Sequence, residues 1–590
     1  MAAAAAYFVI TLVWTWPLAR GLTRDVPNDF GDPLLNAWIL AWDATHLGRG
    51  WWNANIFFPH PLALAYSEHL LAQALSILPV YALTRNPILC YNLVFLATFV
   101  LSGLGMFLLA RELTGRADAA FVAGVAFAFA PYRVASLSHV QVLSSAWMPF
   151  AVYGFRRYFD TGRTRALAGG AAAWVLQNLS CGYYLLYFSL AMIAYLAWEL
   201  LTRRRHVVAT AIACAAVALA TLPLLVPYLE LRRLGFDTRE LGEIERYSAD
   251  VYAYATADPQ LHVWGSMARA FAKPEGALFP GLTIVVLAAL AAAPPLAFAP
   301  FALLLVPLLG IHVPLVKMTS VSRTLGWSAV LCGVICAASA DQRRRVRAWL
   351  ASTPGILTLI VVGAIAMSFG PDIHSHGRQI AEWSAYRFFY DHVPGFDGVR
   401  VPARFDMVVL FGLAALAAFA VRSRTAAVAA GVLVLVESLA VPIAINQNDT
   451  NYKQRHLAPL PDRVSLDARH DLDAFISRLP AGAAIVELPL GEPAFDVRYM
   501  IASTRHWRPL VNGYSGGAPP DYVRLDQALQ EFLVRGDRAW QALAESGATH
   551  AVVHEALYAE GRGPAMTAWL RSHGARDVAA FGADRVLVLK

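Results

Sequence analysis

Asp25 to Pro61, DVPNDFGDPLLNAWILAWDATHLGRGWWNANIFFPHP, is the stretch whose reading decides the fold. It follows an apolar segment and places Asp25, Asp29 and Asp32 directly beyond it. A helix-like run from Pro33 to Leu47 and the turn Trp51-Trp52 come next. Acids held against a bilayer surface need a reason, because charge is expensive near hydrocarbon.

The composition puts a bilayer there. Of 590 residues, 57% are hydrophobic and only 15% charged, which excludes a soluble protein of this size and indicates a polytopic membrane protein. Aromatic residues make up 12%, many at the ends of apolar runs where interfacial anchors sit. The net charge of +7 does not mark a nucleic-acid footprint, since the arginines form short clusters between apolar runs. Cys90, Cys214, Cys332 and Cys336 fall inside apolar runs and Cys181 at the edge of one, a pattern with neither metal spacing nor a disulfide framework. Ala2 to Leu18 lacks a basic leader and reads as a retained first helix rather than a cleaved signal peptide.

A crossing helix needs about 20 apolar residues. By that criterion spans are expected near 3–20, 88–110, 117–132, 142–157, 165–180, 183–200, 206–228, 279–295, 296–312, 325–340, 353–370, 404–421 and 425–444, about thirteen in all. The loops Arg111 to Asp118, Arg156 to Arg165, Leu201 to His206, Asp341 to Trp349 and Val421 to Thr425 carry 15 Arg in 38 residues, so the positive-inside rule makes them cytoplasmic. The amino terminus is then inside, and loops 21–87, 131–141, 229–278 and 371–403 are external. Glu68 to Thr84 reads as a helix lying along the interface, because a crossing there would invert the Arg111 to Arg116 cluster. Residues 1–445 thus form a transmembrane domain and 446–468 a polar linker. Residues 469–590 form a small extracytoplasmic α/β domain in which helical patterns alternate with short apolar strands such as Thr549 to His554. Gly513 to Gly517 does not follow the strand-turn-helix order of a phosphate loop.

The order Asp32-Pro33, Asn36, a helix, Trp51-Trp52 and Phe57-Phe58-Pro59 resembles the first external loop of the GT-C superfamily of membrane glycosyltransferases. The likeness is strong over some forty residues and otherwise rests on topology. Oligosaccharyltransferase catalytic subunits carry a similar Asp-Pro and Asn, and other members use polyprenyl-phosphate-linked sugars. The resemblance implies that Asp32 is a metal ligand or catalytic base, that a divalent cation (Mg2+ or Mn2+) takes part, and that the chain lies in the cytoplasmic (inner) membrane. Many members place acids in the second external loop. This sequence has His139 and Gln141 there instead, so metal dependence does not carry over directly.

Asp32 is the leading candidate residue, although an aspartate before a proline is also a common helix start. Asp29 is the second candidate or a solvated loop acid. Asp43 reads as an interfacial charge. His139 can complete a metal site with Asp32, act as a base or donate to a phosphate, or it is simply polar at a helix start. Glu275 in PEGALFPG can close the site or sit at the interface near a helix start. Arg400 and Arg404, four apart at a helix entrance, can clamp a phosphate, or snorkel to lipid headgroups. His374 and His376 resemble a metal pair only weakly.

Three functions follow. The leading one is a glycosyltransferase working on a polyprenyl-phosphate-linked donor and a glycan, lipid or protein acceptor at the outer face of the membrane. The others are a flippase of lipid-linked saccharides, for which Glu437 would be the main mid-membrane charge, and a non-catalytic scaffold for envelope assembly.

Overall fold

The computed structural model describes residues 1–235, 239–310, 320–448, 452–464 and 469–589. Parts of the expected linker (449–451 and 465–468) and the end of the run 296–312 lie outside the described residues. The membrane part is mainly helical, with one short hairpin of Ile373–Ser375 and Arg378–Ala381, and every expected apolar run contains helix. Among the described residues, six helices are long and apolar enough to cross a bilayer: Pro87–Thr114, Ala117–Ala135, Gly182–Arg203, Val207–Arg233, Val321–Ala338 and Pro402–Ala420. The chain is a multi-pass helical membrane protein.

Other apolar helices are shorter, including Ala2–Trp14, Leu71–Thr84 and Leu282–Ala292. The basic segment expected as the loop Asp341 to Trp349 is itself a helix, Ala340–Leu350, bent by 78° from Thr353–Ser368. An arginine-rich stretch with good helix propensity folds locally whether or not it crosses a membrane.

The helices sort by what they face. Ala117–Ala135 and Pro402–Ala420 have 83% of their apolar windows buried inside the protein, whereas Val321–Ala338 has 11%. The first two form the centre of the bundle, and the last leaves its Leu, Val and Trp side chains to lipid at no cost. Close helix packing depends on small residues. Trp147–Thr161 and Thr164–Ser180 cross so tightly that a Cβ on Gly154 would lie 2.4 Å from the Cα of Gly170.

Arg133 is wholly buried at the end of a central helix, where an unpaired charge would be untenable. Its guanidinium donates to the carbonyls of Phe127 (2.7 Å) and Leu143 (3.3 Å) and to the hydroxyls of Ser102 (2.9 Å) and Ser145 (2.8 Å). These bonds satisfy the charge and close the second loop into a fixed turn.

The carboxy-terminal part contains a mixed sheet with strands ordered Ile485–Leu488, His550–His554, Asp584–Val588, Arg576–Phe581. The first pair is parallel and the other two are antiparallel. Helices such as Pro493–Ser503, Pro520–Gln530 and Arg562–Ser572 accompany it. Its edge is completed from the other end of the chain. Residues around Leu510 pair with Ile485, and on their far side the Leu510 amide donates to the Asn55 carbonyl (2.7 Å) while Phe58 donates to Leu510 (3.0 Å) and Phe57 to Asn512 (3.2 Å). The first loop therefore docks the carboxy-terminal sheet by strand addition, which satisfies edge groups that would otherwise stand open.

Gly154→Val should force these two helices apart and cost about 1–3 kcal/mol or more, as overpacking of a tight contact does. Thermal unfolding in detergent checks this, and an unchanged midpoint would contradict the packing.

Candidate functional site

The first-loop helix runs Asp32–His46, and its cap position is Gly31, with no side-chain cap bond. Asp32 is therefore the first residue of the helix and not its cap. Its Oδ2 lies 3.5 Å from His139 Nε2, and His139 Nε2 lies 3.7 Å from Glu275 Oε1. Glu275 accepts from Arg404 at 2.6 Å (Nη2) and 3.3 Å (Nε). Four of the expected residues, from three loops and one helix entrance, thus form one contiguous chain. His139 Nδ1 is buried without a hydrogen-bond partner, so Nε2 is the imidazole face the site uses.

Asp29 is adjacent but committed. It accepts from the Gly31 amide (2.8 Å), Asn28 Nδ2 (3.0 Å) and the Ser138 hydroxyl, which ties the first loop to the residue before His139. Asn36 makes a parallel tie by donating to Gln141 at 3.1 Å. Asn28 and Glu275 both hold left-handed backbone, with φ of 58° and 55°. For Asn this is tolerated; for Glu it is uncommon and is sustained by the fixed partner Arg404.

The electrostatics follow from that pairing. Burial alone would raise the Glu275 carboxyl, but the Arg404 guanidinium, with His139 and Arg400 beyond it, holds it down at about 2. Arg404 is only 4% exposed and stacks over Tyr183, its centre 4.6 Å from the ring. Arg400 is more accessible. Its guanidinium lies over Tyr247 at 4.9 Å and 3.8 Å from Glu243, a carboxylate it shares with Arg239 (3.4 Å). Two guanidiniums around one carboxylate leave positive charge beside the acids.

Other sequence expectations are corrected. Asp43 is not an interfacial charge but fully buried, accepting from Trp51 Nε1 at 2.7 Å, and burial pushes its carboxyl well up. His374 and His376 do not pair as ligands: His374 lies in the short strand Ile373–Ser375, and His376 stacks on Tyr252 at 3.8 Å. Glu437 accepts from the Thr283 amide and hydroxyl at the start of Leu282–Ala292, so it is a helix cap rather than a mid-membrane carrier.

Two residues were missed. Glu68 accepts from the Gly182 amide (2.7 Å), and burial raises its carboxyl, with Arg404 opposing and Asp32 adding to the shift. An acid interrupting the apolar sequence around it was the available signal. Tyr514 donates its hydroxyl to Asp32 Oδ1 at 3.3 Å across 482 residues of sequence, and nothing local marks it.

Among the described residues, no group of three or more His, Cys, Asp or Glu side chains is arranged to hold a metal ion. Asp32 and His139 offer one oxygen and one nitrogen donor, a set suited to an open divalent site, while Glu275 is engaged by Arg404.

No family model and no curated protein matches the chain in sequence. Solved structures do. The arabinofuranosyltransferase AftD from Mycobacteria superposes with a TM-score of 0.55 at 15% identity, covering 100% of this chain and 39% of that one. ArnT from Cupriavidus metallidurans gives 0.39 at 12% identity, covering 100% and 97%, and the Archaeoglobus fulgidus oligosaccharyltransferase 0.40 at 13%, covering 95% and 70%. The AftD match carries the comparison; the chain spans about two fifths of that protein's length. The fold is GT-C-like.

Glu275→Gln should leave Arg404 buried and unpaired, costing about 3–5 kcal/mol, with part recovered by adding Arg404→Met. Because the Glu275 carboxyl is depressed from 4.5 to about 2, its contribution is full above pH 4.5 and disappears as pH falls through about 2. Acid unfolding followed by tryptophan fluorescence should therefore be steeper over that window in the wild type than in Glu275→Gln.

Proposed function

We propose that the protein is a membrane glycosyltransferase that moves a sugar from a polyprenyl-phosphate-linked donor to an acceptor hydroxyl at the outer face of the cytoplasmic membrane. The observation that carries this reading is the uncommitted Asp32 Oδ2, facing His139 in a site closed by the Glu275–Arg404 pair. The GT-C-like fold supports it at the level of architecture. On this reading about thirteen helices cross the bilayer, the amino terminus is cytoplasmic, and residues 469–590 form an extracytoplasmic domain joined through 446–468.

The chemistry is an inverting displacement. Asp32 takes the proton of the acceptor hydroxyl, the oxygen attacks the anomeric carbon, and the bond from that carbon to the phosphate oxygen breaks with its electrons leaving on the polyprenyl phosphate. His139, whose Nε2 lies between the Asp32 and Glu275 carboxylates, keeps Asp32 turned toward the acceptor. Arg400 meets the phosphate from its more open position, while Arg404 supplies fixed positive charge behind Glu275. Asp32 and His139 are also the pair that would hold a divalent cation; bound there it would neutralise charge on the leaving phosphate, and Asp32 would then serve as its ligand in place of the base. The flippase reading loses its main support with Glu437 bound at a helix start.

The test uses the full chain in nanodiscs with undecaprenyl-phosphate-linked pentoses and hexoses and envelope polysaccharide, following release of undecaprenyl phosphate. Asp32→Asn should lower kcat by about 100- to 10,000-fold, the range of a general base, with little change in donor KM. Arg400→Ala should chiefly raise donor KM. Transfer at the wild-type rate by Asp32→Asn, or none by the wild type with any donor in the set, would sink the proposal.

A further inference from the structure

We infer that Tyr514 is a positioning residue for Asp32, so that the site is complete only when the carboxy-terminal domain is seated on the first loop. This rests on the glycosyl-transfer reading above, in which Asp32 is the base.

The geometry sorts the two oxygens of Asp32. Oδ1 accepts from the Tyr514 hydroxyl at 3.3 Å, and Oδ2 is the oxygen facing His139 at 3.5 Å. A carboxylate at the first residue of a helix, with no cap bond of its own, rotates freely about its last torsion. A donor on one oxygen removes that freedom and presents the other in one direction, which is what proton abstraction from a bound hydroxyl requires.

The tyrosine is itself held from several sides. Gly513 lies flat against the Phe57 ring, where an added Cβ would come within 2.5 Å, and the Tyr514 amide donates to Met500 Sδ at 3.1 Å. The Gly516 carbonyl accepts from Arg239 Nη2 at 2.8 Å, and His60 pairs with Asp521 at 2.8 Å. Arg239 belongs to the external loop 229–278, and Glu243 links it toward Arg400. The segment 513–517, which fails as a phosphate loop, is thus a hub joining the domain to two external loops at the acid. Seating the domain and orienting the base become one event.

Two measurements on the full chain in nanodiscs test this. Fluorotyrosine is placed at position 514 and titrated by fluorine NMR, with and without Asp32→Asn. The fluorophenol should ionise at a higher pH when Asp32 is present, and identical titrations would overturn the contact. Tyr514→Phe, which removes only the hydroxyl, should lower kcat about tenfold, on the scale of a lost hydrogen bond to a charged group. Donor KM and the thermal midpoint should change little, because strand docking is retained. A kcat within twofold of wild type, in an enzyme that Asp32→Asn inactivates, would overturn the positioning role while leaving the transferase reading intact. Failure of the wild type to turn over any donor would sink the transferase reading and with it the positioning role, and the NMR titration would still decide the contact by itself.

Discussion

The Glu275–Arg404 ion pair is the contact on which the site depends. Arg404 enters at the head of a helix that is 83% buried over its apolar window, so its charge has to be met by a partner brought to it. Glu275 is that partner. Once it is fixed there with left-handed backbone, its other side faces His139, and His139 in turn faces Asp32. The acid of the first loop, the imidazole of the second and the carboxylate of the long loop 229–278 are thereby assembled around one guanidinium.

Supporting bonds keep that chain in place. Arg133 closes the turn that carries His139 by bonding two carbonyls and two hydroxyls, and Asp29 and Asn36 tie the first loop to Ser138 and Gln141 on either side of it. Asp250 does the same for the loops 229–278 and 371–403, accepting from the His376 (3.1 Å) and Gly377 (2.8 Å) amides. Arg133, Asn36, Ser138, Gln141 and Asp250 are buried and would be costly unpaired, so the network selects one arrangement of the loops.

The carboxy-terminal sheet belongs to the same construction. Strand addition by Asn55 to Phe58 satisfies the sheet edge and at the same time sets the segment 513–517 over Asp32. A buried network inside that part, with Glu487 accepting from Arg469 and His554 bonded to both Glu487 (2.7 Å) and Asp584 (2.8 Å), stiffens the platform from which Tyr514 reaches out. Arg469 and His554 hold the Glu487 carboxyl at about 2 against the opposing effect of burial.

The sequence by itself determined the membrane setting and the importance of the first loop, because apolar run length and an Asp-Pro beyond a span are local properties that a linear reading captures. It also pointed to Asp32, His139, Glu275 and Arg404 one by one, since charge at a helix entrance is conspicuous in an apolar chain. It misplaced Asp43, because burial is not written in spacing. Only the tertiary structure decided that four candidates from distant loops share one site, that Arg404 is committed to Glu275, and that Tyr514 meets Asp32 across 482 residues. Those are pairings of buried polar groups, and which donor satisfies which acceptor is settled only when the loops are closed against one another.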